Sequence, residues 1–245
     1  MDIQGIFNQL NFNIKPQDNY RKKYYYRFNK FMYKIIGKER LYTFNNCKIS
    51  KKFENLVLKK ALLEIDSMST YAIGHLINQI CCNLSSDQTY LNIGCWKGFS
   101  LVAGMIGTSC QVIGVDNFSE FNGPKKEFYE NFNKYRKQKF HKFYENDYKM
   151  FFEEFKKKDK KIDFYFYDGE HSYQNQYENL EICDYFLNRG GIVMIDDINL
   201  YEVEKGTKDF INNNSSKYEI IKEIKTANNH CHPSFWNGIM IIRKK

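Results

Sequence analysis

The chain has 245 residues, of which 42 % are hydrophobic and 17 % aromatic, enough apolar material for one large core and too much for a disordered chain. No apolar run approaches the about 18–20 residues that span a bilayer, and the N-terminal MDIQGIFNQLNFN lacks the basic flank and apolar core of a secretory signal. The net charge of +8 is concentrated: residues 21–60 hold thirteen Lys/Arg and two Glu, a local +11, which leaves −3 for the remainder.

In chain order, residues 1–20 read as a polar, Asn-rich, loosely held arm. Residues 21–65 show helix-like spacing interleaved with Lys, as in RFNKFMYKII and FENLVLKKALLEI. So basic a segment fits an anionic partner such as nucleic acid, or simply a solvated helical face. No recognition motif accompanies the charge, which favours a helical appendage that packs on the domain or joins a homo-oligomer. Residues 1–66 are therefore read as a basic, mainly helical N-terminal extension, and 67–245 as the main domain.

The main domain opens with an amphipathic helix over 70–84, with Ile73, Ile77, Ile80 and Leu84 on one face and Ser69 or Thr70 as N-cap. Strands then alternate with helices: strand 89–94, helix 99–107, strand 111–116, helix 124–137, strand 139–147, helix 148–158, strand 162–168, helix 173–187, strand 190–197 and helix 200–213. This pattern predicts a mostly parallel α/β sheet with helices on both faces. Strands 218–224 and 236–244 have only a loop between them and predict an antiparallel edge hairpin.

In such a sheet ligands bind at the carboxyl ends of the strands. The first strand runs into NIGCWKGFS, where Gly94 and Gly98 bracket a tight turn into a helix. The second ends at Asp116, where an acid commonly takes ribose hydroxyls; a turn cap is the alternative. Asp168 ends the fourth strand, and Asp196 and Asp197 the fifth. If those strands are neighbours, three carboxylates converge, and a hard divalent cation such as Mg²⁺ would relieve their repulsion. The alternative is helix capping. His171 follows Asp168 by three residues and is either a general base or a histidine satisfied by backbone near the next helix start. The seven cysteines, odd in number and without a CxxC spacing, fit reduced thiols in the cytoplasm. Late in the chain, His230, Cys231 and His232 offer a weak soft-metal pattern. A loop that touches substrate through His230, His232 and Trp236 is the preferred reading there.

YLNIGCWKGFS, VIGVDNF, YDGEHSY and GGIVMIDDI, in this order and spacing, resemble the class I S-adenosylmethionine-dependent methyltransferases. Within that class they look like the metal-dependent small-molecule O-methyltransferases near the macrocin-type sugar enzymes. The resemblance covers about residues 70–245. It implies a Rossmann-like sheet, S-adenosylmethionine and Mg²⁺ as cofactors, and a small-molecule hydroxyl as acceptor. It further implies that Gly94 and Gly98 line the methionine end, that Trp96 packs over it, and that Ser100 meets the methionine carboxylate. Asp116 would bind ribose, and Asn146 and Asp147 would contact adenine. Asp168, Asp196 and Asp197 would hold the metal, with Asp168 and His171 catalytic. Asn92 departs from the family, which usually has an acid there; it can hydrogen-bond, but brings no charge to the cofactor's ammonium. A nucleic-acid methyltransferase and a non-catalytic cofactor-binding protein are the competing readings.

Overall fold

The structure is a computed structural model that describes residues 1–19, 47–158, 160–227 and 232–245. The expected helix across RFNKFMYKII lies outside these residues, as do His230 and Cys231. Strands β1 (Leu10–Phe12) and β2 (Cys47–Ile49) form a small antiparallel pair. The main sheet has seven strands: β3 (Thr89–Ile93), β4 (Gln111–Asp116), β5 (Lys142–Glu145), β6 (Ile162–Tyr167), β7 (Leu187–Asp196), β8 (Tyr218–Ile224) and β9 (Ile239–Lys244). Their spatial order is β5-β4-β3-β6-β7-β9-β8. The pairs from β5 through β7 are parallel, and β9 runs antiparallel to both β7 and β8.

The apolar runs of β3, β6 and β7 explain why they lie in the middle. Each is buried over most of its length, as a strand covered on both faces must be. Two hydrophobic clusters follow. One holds Ile73, Ile77 and Ile80 of the helix Tyr71–Cys82, with Phe164 and Met194 of the sheet. The other holds Phe151, Phe152 and Phe155 of the helix Tyr148–Lys156, with Tyr165 and Val193. Thr70 is the N-cap, its hydroxyl accepting from the Ile73 N–H.

The first nineteen residues are held more firmly than their polar composition suggests. Ile3, Ile6 and Phe7 of the short helix Ile3–Phe7 are buried, and they join the same cluster as the sheet. Leu58, Ala61 and Leu62 of the helix Leu56–Glu64 join it too. A few apolar residues at helical spacing outweigh the Asn-rich average.

Chain order reverses between β3 and β6. From β3 the chain winds outward through β4 to β5, and from β6 it winds the other way. That switch point leaves a crevice at the carboxyl ends of β3 and β6, and the sequence motifs converge there.

Candidate active site

The turn after β3 is shaped by close backbone approach. Gly94 has φ of +78°, and a Cβ there would lie 1.8 Å from the Asp168 carbonyl oxygen, so only glycine fits. Gly94 N–H donates to Val115 O and Asp168 N–H donates to Ile93 O, both at 3.0 Å. The ends of β3, β4 and β6 are thus tied together directly.

Asn92 and Ser100 satisfy each other. The Ser100 hydroxyl donates to Asn92 Oδ1 at 2.8 Å, and Asn92 Nδ2 donates to Gly94 O at 3.1 Å. Asn92 is fully buried and clamps the turn from beneath. Asp116 plays a second structural part. Its Oδ2 accepts from the N–H groups of Cys95 (2.7 Å) and Trp96 (2.8 Å), and its Oδ1 from Phe118 N–H (2.7 Å). A carboxylate oxygen can accept more than one bond, so Oδ1 keeps capacity for a ligand hydroxyl.

Above this turn lies a cavity of about 600 Å³, within the size range of sites for ligands of cofactor size. Gly94, Trp96, Asp116, Asn146, Asp147, Asp168, His171, Asp196 and Asp197 all line it. Asn92, Gly98 and Ser100 stand behind the wall. Asp147 also caps the helix Tyr148–Lys156 through the Lys149 N–H.

Three side chains meet at one end of the cavity. His171 Nε2 is 3.7 Å from Asp168 Oδ1 and 3.4 Å from Asp197 Oδ2. Asp168, His171 and Asp197 each offer a ligand atom, and these atoms lie within 4.8 Å of one another. Strand pairing brings them there, because Tyr167 of β6 is in register with Ile195 of β7. Asp196, expected to be the third acid, stands beside the trio instead. It is buried, and its Oδ1 accepts the Asp197 N–H at 3.0 Å. Asp197 has a left-handed backbone, φ +55°, uncommon for a residue with a side chain. Its Oδ1 is buried without a hydrogen-bond partner.

The electrostatics follow from this crowding. Burial, then the charges of Asp168 and Asp197, push the Asp196 carboxyl well above the ordinary carboxylate range. Burial and the Asp168 charge raise Asp197 to about 6, against the opposing pull of His171 and a hydrogen bond with Asn237. For His171, burial disfavours the charged ring, but the neighbouring Asp168 carboxylate, with the charges of Asp197 and Glu120, outweighs it and raises the imidazole above its ordinary value. When protonated, His171 is the counter-charge for the two carboxylates.

The segment before β9, expected to touch substrate through Trp236, contributes to the cavity. Trp236 and Asn237 line the cavity, and Asn199 N–H donates to Asn237 O at 2.8 Å. His232 has a structural role. Its Nδ1 is 2.8 Å from Ser234 Oγ and its Nε2 is 3.3 Å from Asp18 O. The loop 117–124 supplies Glu120 and Phe121, with positive φ at Phe118, Phe121 and Asn122. Nothing in the local sequence signals that Glu120 lines the cavity.

Residues 91–198 match a family described as methyltransferase domain. No curated protein is significantly similar to the chain. Among solved structures, an O-methyltransferase from Bacillus cereus in complex with S-adenosylhomocysteine superposes with a TM-score of 0.59. It is 11 % identical, and the match covers 89 % of this chain and 97 % of that one. An O-methyltransferase of tomaymycin synthesis from Streptomyces achromogenes, in complex with S-adenosylmethionine, gives 0.58 at 9 % identity, covering 92 % and 99 %. At these identities the likeness establishes a shared fold. The expected Rossmann-like, mostly parallel sheet with an antiparallel edge is the one observed.

Proposed function

We propose that the chain, whose residues 91–198 match a family described as methyltransferase domain, transfers the methyl group of S-adenosylmethionine to a hydroxyl of a small molecule, with a divalent cation held by the carboxylates of Asp168 and Asp197 beside His171. The observation that carries this reading is the convergence of two carboxylates and one imidazole within 4.8 Å at the cavity end. The buried, unpartnered Asp197 Oδ1 is an orphan that a ligand would satisfy. Carboxylate oxygens suit Mg²⁺ or Mn²⁺, and His171 is left free beside them.

A cation held there would polarise the acceptor hydroxyl and lower its pKa. The chain's own residues supply the rest. The turn Gly94–Gly98 and Asp116 orient the cofactor, and Asn92 with Ser100 fixes the turn from behind. Asn146 and Asp147 lie beyond β5, where the adenine would rest. A second positive charge beside His171 would displace its proton, and the neutral imidazole would then accept the hydroxyl proton. Transfer itself needs the acceptor oxygen in line with the methyl, which is a matter of positioning. The six described cysteines are free thiols, in keeping with a cytoplasmic setting.

The test is methyl transfer from labelled S-adenosylmethionine to a panel of sugars, alcohols, phenols and RNA. Activity on a small hydroxyl compound, abolished by a chelator and restored by Mg²⁺ or Mn²⁺, is the expected result. Full activity in excess chelator would remove the cation, and methylation of RNA alone would remove the acceptor class.

A further inference from the structure

Seven carboxylates line the cavity, and no Lys or Arg does so among the described residues. This stands out in a chain of net charge +8. Most of the seven are accounted for. Asp116 is taken by three backbone N–H groups, and Asp147 caps a helix. Asp168 and Asp197 face His171, and Asp196 is buried against the Asp197 amide. Glu170 is hydrogen-bonded to Asn175. Glu120 remains, and its carboxylate has no hydrogen-bond or ion-pair partner.

Glu120 is exposed and lines the same cavity as His171 and Tyr167. Aromatic rings stand beside it. Phe121 meets Trp96 edge-on at 6.1 Å, and Trp236 also lines the cavity. Lys97 Nζ lies 4.7 Å from the Trp96 ring centre and is paired with Asp66 at 2.6 Å. A carboxylate beside aromatic faces, in a cavity lined by no Lys or Arg among the described residues, is suited to an alkylammonium group. It repels phosphate and carboxylate.

Resting on the function proposed above, we infer that Glu120 is a specificity-determining residue that selects acceptors carrying a protonated amine beside the hydroxyl to be methylated, and rejects anionic ones.

Three catechols that differ only in charge test this: 4-(2-aminoethyl)catechol, 4-(2-hydroxyethyl)catechol and 3,4-dihydroxyphenylacetate. Their binding is measured on the whole chain, with Mg²⁺ and saturating S-adenosylhomocysteine, after the latter's own affinity has been determined. The ammonium compound should bind about tenfold more tightly than the carboxylate, with the neutral one between, and the gap should narrow at high salt. Glu120→Gln should reduce the gap to about threefold or less and leave the melting temperature and S-adenosylhomocysteine affinity unchanged. Equal binding of cation and anion would overturn the inference. So would failure of the ammonium compound to bind a chain that holds S-adenosylhomocysteine. A Glu120→Gln variant that loses S-adenosylhomocysteine instead would assign the carboxylate to the cofactor's ammonium, and the inference would again fall. If the parent chain binds no S-adenosylhomocysteine, it is the underlying functional reading that fails.

Discussion

Asp197 is where stability and chemistry conflict most directly. Its folded pKa of about 6 lies above the usual carboxylate value, chiefly through burial and then Asp168. A raised carboxylate disfavours the folded state once ionised. The cost is fully present above about pH 6 and is relieved as pH falls toward the unfolded value near 4. His171 works in the opposite sense. Its raised value contributes stability that is complete below about pH 6.5 and is lost as pH rises through the folded value. Asp197→Asn should therefore raise the metal-free chain's stability at pH 7.5 by about 1–2 kcal/mol, read from urea unfolding. It should also lower methyl transfer by at least about a hundredfold while S-adenosylhomocysteine affinity holds. A variant that is less stable yet fully active would contradict this account of Asp197. The sequence placed His171 beside Asp168 by local spacing. Its contact with Asp197 was not legible, because it depends on two strands paired across 25 residues of intervening chain. Glu120 was less legible still, since its position follows from left-handed backbone at Phe118, Phe121 and Asn122.

The turn after β3 shows how much an element can reveal of itself. Two glycines four residues apart announced a tight strand–helix turn, and both have positive φ. What spacing could not reveal is that Gly94 rests on the backbone of β6, which is distant in sequence. Gly94→Ala should loosen this junction and weaken S-adenosylhomocysteine binding by about tenfold or more, measured by calorimetry. Gly107 is the control. Its φ is +69°, but a Cβ there would meet nothing within 4 Å. Gly107→Ala should cost only the backbone strain, about 1 kcal/mol, and leave binding intact. Equal effects at both positions would argue against the close approach at Gly94. The central strands were readable because apolar runs bounded by turns have few alternatives. β1 and β2 were not, being three residues each and paired between Leu10 and Ile49 with no local turn to mark them.

Across the whole molecule, the N-terminal residues close the core instead of trailing from it. Gln9 Oε1 lies 3.0 Å from Nε2 of His75, in the middle of the helix Tyr71–Cys82. The composition of residues 1–20 concealed this, because three apolar side chains suffice to dock the segment. His75 is fully buried, and burial lowers its pKa to about 4. His141 is lowered to about 4 as well, by burial and then by the Arg136 charge. A histidine depressed in the folded state contributes stability that is complete above the unfolded value near 6.5 and is lost as pH falls toward 4. Unfolding free energy should therefore decline between pH 6.5 and 4, by roughly 2–3 kcal/mol for His75 alone. His75→Gln should flatten that decline, measured by urea unfolding across the range. An unchanged slope would show that His75 stays accessible to protons.

A cation beside the cofactor at the switch point of the sheet is the centre of the proposed chemistry. An anomalous difference map from crystals grown with S-adenosylhomocysteine and Mn²⁺ tests it most directly. The predicted result is one peak within about 2.5 Å of carboxylate oxygens of both Asp168 and Asp197, beside His171, with the cofactor product over Gly94 and Asp116. The cofactor product in place with no peak between those carboxylates would contradict it.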